Sequence, residues 1–222
     1  MSDRALVVFV KHPQPGAVKT RLAASIGNGA AAGLYRALAE HVLDATAPTA
    51  GEYERLVFFE PGEALEEMRA WLPGTRLLAQ CGPDLGARMA DAFARAFARG
   101  ASRVALVGTD TPGVTRETAA LALSALDAAD VVVGPAEDGG YYLVALRAPQ
   151  PALFSGIEWS TPCVLDETRA RAAAAGLAVR EIAPLGDLDT LDDLRRAWPR
   201  IEGVLAGREA LAAEIAQRIR LR

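Results

Sequence analysis

The 222-residue chain is poor in the residues that most often announce a chemistry. It has two cysteines and two histidines. Cys81 and Cys163 lack metal-site spacing and do not suggest a disulfide scaffold. His12 and His41 stand without a partner at ligand spacing. Neither Ser155 nor Ser160 has a His/Asp context, so nucleophilic serine chemistry is set aside. Positive charge is not in excess: 24 Lys and Arg against 28 Asp and Glu leave a net charge of −4, which gives no reason to expect nucleic acid or an anionic membrane as partner. Apolar runs are short. Six apolar residues separate Arg4 from Lys11, too few for a signal peptide, and no later run approaches the ~18 residues of a membrane span. Internal repeats, linkers and low-complexity segments are absent. So are the two commonest nucleotide fingerprints, GxxxxGK[ST] and GxGxxG.

What remains is an ordinary globular balance, 51% hydrophobic and 23% charged, at a length that suits one α/β domain over residues 1–222. A cytoplasmic enzyme or binding protein fits that profile. Short apolar runs read as strands at Leu6 to Val10, Arg55 to Phe59, Arg76 to Gln80, Val104 to Val107, Asp130 to Gly134, Tyr141 to Leu146 and Leu177 to Ile182. Helical patterns fall at Thr20 to Ile26, then Ala30 to Ala47 after a Gly27-Asn28-Gly29 break. More follow at Gly62 to Trp71, from Asp84 or Leu85 to Arg99, Thr115 to Leu126, Val164 to Ala175, from near Leu191, and Arg208 to Arg222. Strands alternating with helices of this length predict βαβ units around a mostly parallel sheet, with one antiparallel departure at the tight Asp138-Gly139-Gly140 junction. The last helix is expected to pack on the body or on a second subunit, which leaves a homodimer open.

The most informative stretch is Arg103 to Gly113, RVALVGTDTPG. A buried strand ends abruptly in a polar loop with one carboxylate, Asp110, at the strand end where open α/β sheets bind ligands. Asp110 is not needed as a helix cap, because Thr115 is better placed for that. Four polar regions follow strands: Lys11 to Arg21, Asp84 to Arg88, Thr109 to Pro112 with Glu137 to Gly140, and Asp187 to Thr190. The first brings the cations Lys11, Lys19 and Arg21 on a Gly/Pro backbone. The later ones bring Asp110, Asp138, Asp187 and Asp189. Polyphosphate needs cations and free amides, and a hard divalent cation needs one or two carboxylates plus phosphate and water, so the two sets together suit a metal-bridged nucleotide. Competing structural roles exist: Asp189 as the cap of the helix at Leu191, and Asp187 and Asp138 as turn residues. Trp159, in an irregular stretch, is a candidate pocket wall.

The segments FVKHPQPGAVKTRLA, GPDLGARM, VGTDTPG, GPAEDGGYYLVAL and GDLDTLDDL, in this order, resemble the DUF2064 family of the GT-A nucleotide-diphospho-sugar transferase superfamily. They are more distantly similar to 2-phospholactate guanylyltransferase and the molybdenum-cofactor cytidylyltransferases. The resemblance implies a GT-A, Rossmann-like three-layer α/β sandwich. It assigns Lys11, Gly16, Lys19, Arg21, Asp84, Gly86 and Arg88 to nucleotide and phosphate binding, with Asp138, Gly139 and Gly140 facing the acceptor. Asp110 and Asp189 become ligands of Mg²⁺ or Mn²⁺, and Lys19 and Asp110 the catalytic pair. Leu191 stands where the related pattern often has proline, a change that touches helix initiation and leaves Asp189 in place. The implied reaction is glycosyl transfer from a nucleotide sugar to a small-molecule acceptor. The residues also support an alternative. Asp110 has no second Asp two positions away, so the DxD of many GT-A glycosyltransferases is missing. A single Asp, a late second Asp and a basic PGxVKTR loop suit nucleotidyl transfer from a nucleoside triphosphate with pyrophosphate release. A non-catalytic nucleotide-binding protein is the third reading.

Overall fold

The computed structural model describes residues 3–220. Seven strands form one sheet: β1 (Arg4–Lys11), β2 (Glu54–Glu60), β3 (Leu77–Ala79), β4 (Arg103–Val107), β5 (Val131–Pro135), β6 (Tyr141–Leu146) and β7 (Val179–Glu181). Eight helices connect or cover them: α1 (Thr20–Ile26), α2 (Asn28–Ala45), α3 (Leu65–Trp71), α4 (Leu85–Ala98), α5 (Arg116–Ala125), α6 (Val164–Ala174), α7 (Leu191–Val204) and α8 (Glu209–Arg220). The spatial order is β3-β2-β1-β4-β6-β5-β7. Every pairing is parallel except those made by β6, which runs against both β4 and β5.

Alternate residues of each central strand face opposite sides of the sheet, and both sides are covered, so the strands read as continuous apolar runs. Leu6, Val8, Val10, Ala105, Val107, Leu143 and Ala145 pack with Tyr35, Val42, Met68 and Leu123 of α2, α3 and α5. Their neighbours Ala5, Val7, Val104, Leu106, Val144 and Leu146 pack with Met89, Phe93, Leu165 and Ala172 of α4 and α6 on the other face. A third apolar cluster joins Leu22, Ile26, Leu34, Leu38, Leu194, Ile201 and Ile215, and docks α7 and α8 onto α1 and α2. The three-layer α/β sandwich expected from the sequence is therefore the one formed.

Several local expectations shift. Only Gly27, at φ 90°, separates α1 from α2, because Asn28 and Gly29 already belong to the second helix. The start of the stretch at Gly62 is a 3-10 turn before α3. The strand expected at Leu177 to Ile182 shrinks to three exposed residues at the sheet edge. The last helix lies on the body of the same chain, with Leu211 against Gly33 of α2; the final two residues of its expected span fall outside the described residues.

The order of strands decides where the loops go. From β1 the chain moves outward to β2 and β3, then returns to lay β4 on the other side of β1. The loops leaving β1 and β4 thus open a crevice between adjacent strands, the place where open α/β sheets receive ligands. Because β6 alone is reversed, the β5–β6 turn emerges at that same edge. A parallel bridge from Ala136 to Leu185 then brings the chain beyond β7 back to it, carrying Asp187 and Asp189.

Candidate functional site

A cleft of about 560 Å³ lies along this edge. Its centre is Lys19. The residue sits at φ 48°, ψ 44°, in the left-handed region that non-glycine residues rarely adopt, immediately before α1. That backbone turn aims the side chain inward, where it is 2% exposed. The Nζ atom lies 2.6 Å from Asp110 Oδ1 and 2.9 Å from Asp189 Oδ1. Arg21 Nη2 takes the other oxygen, Asp189 Oδ2, at 2.6 Å. Burial disfavours the charge on Lys19, but the two carboxylates outweigh it and hold the ammonium protonated above its ordinary range. Burial likewise pushes Asp189 up, and Lys19 and then Arg21 reverse the effect and keep its carboxyl low. Lys19 and Asp189 are both held toward their charged forms.

The caps explain why these carboxylates are free for the site. Thr115 caps α5 through Thr118, so Asp110 has no capping role. Thr190, not Asp189, caps α7: its Oγ1 accepts from the Asp193 amide at 3.2 Å. The structural role considered for Asp189 therefore passes to its neighbour. Asp138 does serve its turn, accepting from the Gly140 amide at 3.0 Å, and lines the cleft as well.

Around this centre the cleft has two further parts. Toward β2 and β3, Glu60 receives Lys11 at 3.1 Å and also pairs with Arg88, whose Nε donates to the Gly82 carbonyl at 3.2 Å. At the base of the cleft, Tyr35 connects β1 to the loop after β4: its hydroxyl accepts from the Lys11 amide at 2.7 Å and lies 3.0 Å from Thr109 Oγ1. Toward β6 and α6 the wall is apolar and aromatic, with Leu85, Met89, Val144 and Val164, and Trp159 set edge-on to Tyr141 at 6.5 Å between centroids. Ser160, at φ 65°, lines the same part.

Asp187 is the cleft carboxyl with a strongly raised pKa. Burial raises its pKa to about 6 against a hydrogen bond from Thr111 that lowers it, and the negative charges of Asp138, Asp110 and Asp189 add to the rise. A part-buried carboxyl with a raised pKa in a cleft is a common mark of a functional site.

The structure thus gathers Lys11, Lys19, Arg21, Arg88, Asp110, Asp138, Gly140 and Asp189 in the cleft, but four residues of the motif segments lie outside its lining. Asp84 caps α4, accepting from the Ala87 amide at 2.8 Å. Gly86 is buried where a Cβ would meet the Phe154 carbonyl and the Trp159 ring. Gly139, at φ 88°, is pressed against the Pro162 carbonyl, and Gly16, at φ 86°, turns the first loop near Asn28. These four shape the walls. Glu60, Gln80, Tyr35 and Thr111 were not marked by the sequence, since each acquires meaning only through a partner distant in the chain.

The donor set fits a divalent cation of the Mg²⁺ or Mn²⁺ kind. Asp110 and Asp189 offer hard oxygens from two loops, and Asp110 is half exposed, so incoming phosphate and water have room to complete a coordination shell. Among the described residues no group of three or more His, Cys, Asp and Glu stands ready to hold an ion by itself.

Comparison with known proteins places the chain in a family. Residues 42–161 match the profile of DUF2064, described as an uncharacterized protein conserved in bacteria. The chain belongs to the DUF2064 family. The matched span contains Asp110 and Asp138, with Lys19 and Asp189 on either side of it. A crystal structure from Desulfovibrio desulfuricans G20, provisionally named a nucleotide-diphospho-sugar transferase, is 35% identical. The alignment covers 97% of this chain and 99% of that one, with a TM-score of 0.87. CMP:2-keto-3-deoxy-manno-octonic acid synthetase complexed with CTP shares the fold at 15% identity, over 91% and 99% of the two chains, with a TM-score of 0.59. The manganese complex of Rv0371c from Mycobacterium tuberculosis H37Rv does so at 18% identity, over 87% and 96%, with a TM-score of 0.50. No curated protein matches this DUF2064 chain in sequence. No helix among the described residues is long and apolar enough to cross a membrane.

Proposed function

We propose that this protein is a metal-assisted transferase acting on a nucleotide-activated substrate, with a nucleoside triphosphate as donor and a small-molecule acceptor. One observation carries the reading: the convergence of Lys19, Arg21, Asp110 and Asp189 at the β1/β4 crevice. Two cations and two carboxylates from three separate loops form a centre for a metal-bridged polyphosphate. The carboxylates come from different loops instead of one DxD. A paired Asp of this kind suits displacement at a phosphorus of a triphosphate, with an acceptor oxygen forming the new bond and pyrophosphate leaving. Two solved proteins whose names concern CTP and manganese share the fold, which supports the class of ligand.

In this scheme Asp110 and Asp189 would hold Mg²⁺ or Mn²⁺, which when bound neutralises phosphate charge and polarises the P–O bonds. The rest is done by the chain itself. Lys19 and Arg21 stabilise charge on the departing phosphate oxygens. Glu60, with Lys11 and Arg88, provides a polar arm for one end of the nucleotide. Trp159, Tyr141 and Met89 wall off an apolar compartment from which water is displaced, with Asp138 and Gly140 at its mouth. No nucleophilic side chain is required, because the acceptor supplies the attacking oxygen.

Glycosyl transfer from a nucleotide sugar is the second reading, favoured by the name given to the 35%-identical relative. Thermal shift against the four nucleoside triphosphates and common nucleotide sugars, with Mg²⁺ or Mn²⁺, separates the two. Stabilisation by a triphosphate and release of pyrophosphate with an acceptor would support nucleotidyl transfer. Stabilisation by nucleotide sugars alone would replace it with glycosyl transfer. Metal-independent nucleotide binding that survives Asp110→Ala would point to a non-catalytic binder.

A further inference from the structure

The two carboxylates assigned to the metal are already bridged, and by a side chain. Lys19 reaches Asp189 across 170 residues of sequence, and its ammonium touches one oxygen of each aspartate. Arg21 occupies the second oxygen of Asp189. The left-handed backbone at Lys19 is unfavourable for a residue with a Cβ, and the side chain it carries lies inside, away from solvent. A surface lysine would do none of this.

We propose that Lys19 is the resident counter-ion of this centre, filling the place of the divalent cation until a polyphosphate arrives. The inference rests on the assignment of Asp110 and Asp189 as metal ligands and adds how the metal is admitted. A bare cation approaching both carboxylates must displace a buried ammonium that has nowhere else to place its charge. Removing one partner from such an ion pair leaves the other uncompensated, so the exchange is unfavourable. A polyphosphate changes the balance by offering Lys19 and Arg21 new anionic partners, which frees the aspartate oxygens. Metal and nucleotide then bind with positive coupling, and by linkage each raises the affinity of the other by the same factor. The chain would in this way exclude metal from an empty site and keep four charged groups paired when no substrate is present.

The test is direct binding of Mn²⁺ alone to the purified full-length chain, read from loss of the free-ion electron paramagnetic resonance signal. Wild type is expected to bind Mn²⁺ weakly. Lys19→Met, which leaves the carboxylate pair unbridged, is expected to bind it at least about tenfold more tightly, equivalent to roughly 1.4 kcal/mol. Adding Asp110→Asn to Lys19→Met should abolish the gain. Lys19→Gln, a neutral residue that keeps hydrogen-bond donors at the same depth, serves if Lys19→Met does not fold, and the same tightening is expected. A thermal shift on adding Mn²⁺ without nucleotide should appear in these variants and be small in wild type. Unchanged or weaker Mn²⁺ binding in the folded Lys19 variants overturns the proposal. If wild type together with a nucleoside triphosphate still binds Mn²⁺ through Asp110, only the counter-ion role falls; if it does not, the metal pair falls with it.

Discussion

Asp187 gives the most quantitative test of the site's electrostatics. Its carboxyl sits at about 6 in the folded chain against 3.8 for an ordinary aspartate, because partial desolvation and the negative charges of Asp138, Asp110 and Asp189 outweigh the Thr111 hydrogen bond. A shift of that size makes the ionised form about 3 kcal/mol less favourable in the folded than in the unfolded state. The sign follows from the direction of the shift. With the folded pKa raised, the contribution of the protonated group is fully present below pH 3.8 and is lost as pH rises through about 6. Asp187→Asn keeps the shape and an oxygen to accept the Thr111 hydroxyl, and never ionises. The variant should match wild type in stability near pH 4 and exceed it by up to about 3 kcal/mol at pH 7 to 8, with the difference opening between 3.8 and 6. Urea unfolding of the two proteins at a series of pH values in metal-free buffer measures the difference directly. Parallel stability profiles, with no gap opening as pH rises, would refute the account of Asp187 as a strained carboxylate. A gain in stability accompanied by loss of turnover would mark Asp187 as a group that the site keeps at a cost to the fold.

Three other changes probe the remaining parts of the cleft. Asp110→Asn removes one of the two carboxylates that pair with the buried Lys19 ammonium, so it should abolish metal-dependent nucleotide binding and lower the melting temperature; equilibrium dialysis with retained metal-dependent binding would remove Asp110 from the metal pair. Lys19→Ala should weaken affinity for the nucleotide by roughly 1.5 to 3 kcal/mol, the worth of a charged hydrogen bond, and isothermal titration showing no change would return Lys19 to a purely structural role. Gly86→Ala places a methyl group within 2.8 Å of Trp159 Nε1 and against the Phe154 carbonyl, so it should cost about 1 to 3 kcal/mol in stability and alter tryptophan fluorescence. An unperturbed spectrum would mean that Trp159 does not rest on α4.

Much of the frame was legible because it rests on local pattern. The strands announce themselves as unbroken apolar runs, since helices cover both faces of the sheet, and Asp138-Gly139-Gly140 foretold the one reversed strand. Lys19, Arg21, Asp110 and Asp189 stood out as charges placed just beyond strands. What the sequence could not convey was which charge meets which. Nothing local says that Lys19, and not Arg21, lies between the two aspartates, because that depends on a left-handed turn at a residue with no glycine to signal it. Glu60, Thr111 and Tyr35 were silent for the same reason: each matters through a partner distant in the chain. Asp84, Gly86 and Gly139 present the opposite case. A motif places residues near a site without saying whether they touch the ligand or hold the wall, and the structure uses all three for capping and close packing.

The division has a physical basis. Residues that meet a charged ligand must be charged themselves and must emerge at the strand ends, so both their type and their position are visible in a linear sequence. Residues that hold the wall need only small volume, a positive φ or a single hydrogen bond, and many sequences supply those for unrelated reasons. Lys19 belongs to both groups at once. Its charge made it visible as a phosphate ligand, whereas its backbone and burial make it the structural key of the free protein. If Lys19 exchanges its own carboxylates for phosphate as proposed, it would tie the stability of the loops to the presence of substrate. The loops after β1, β4 and β7 meet at this one ammonium, so the position proposed to carry the chemistry is also the position that closes the edge of the sheet.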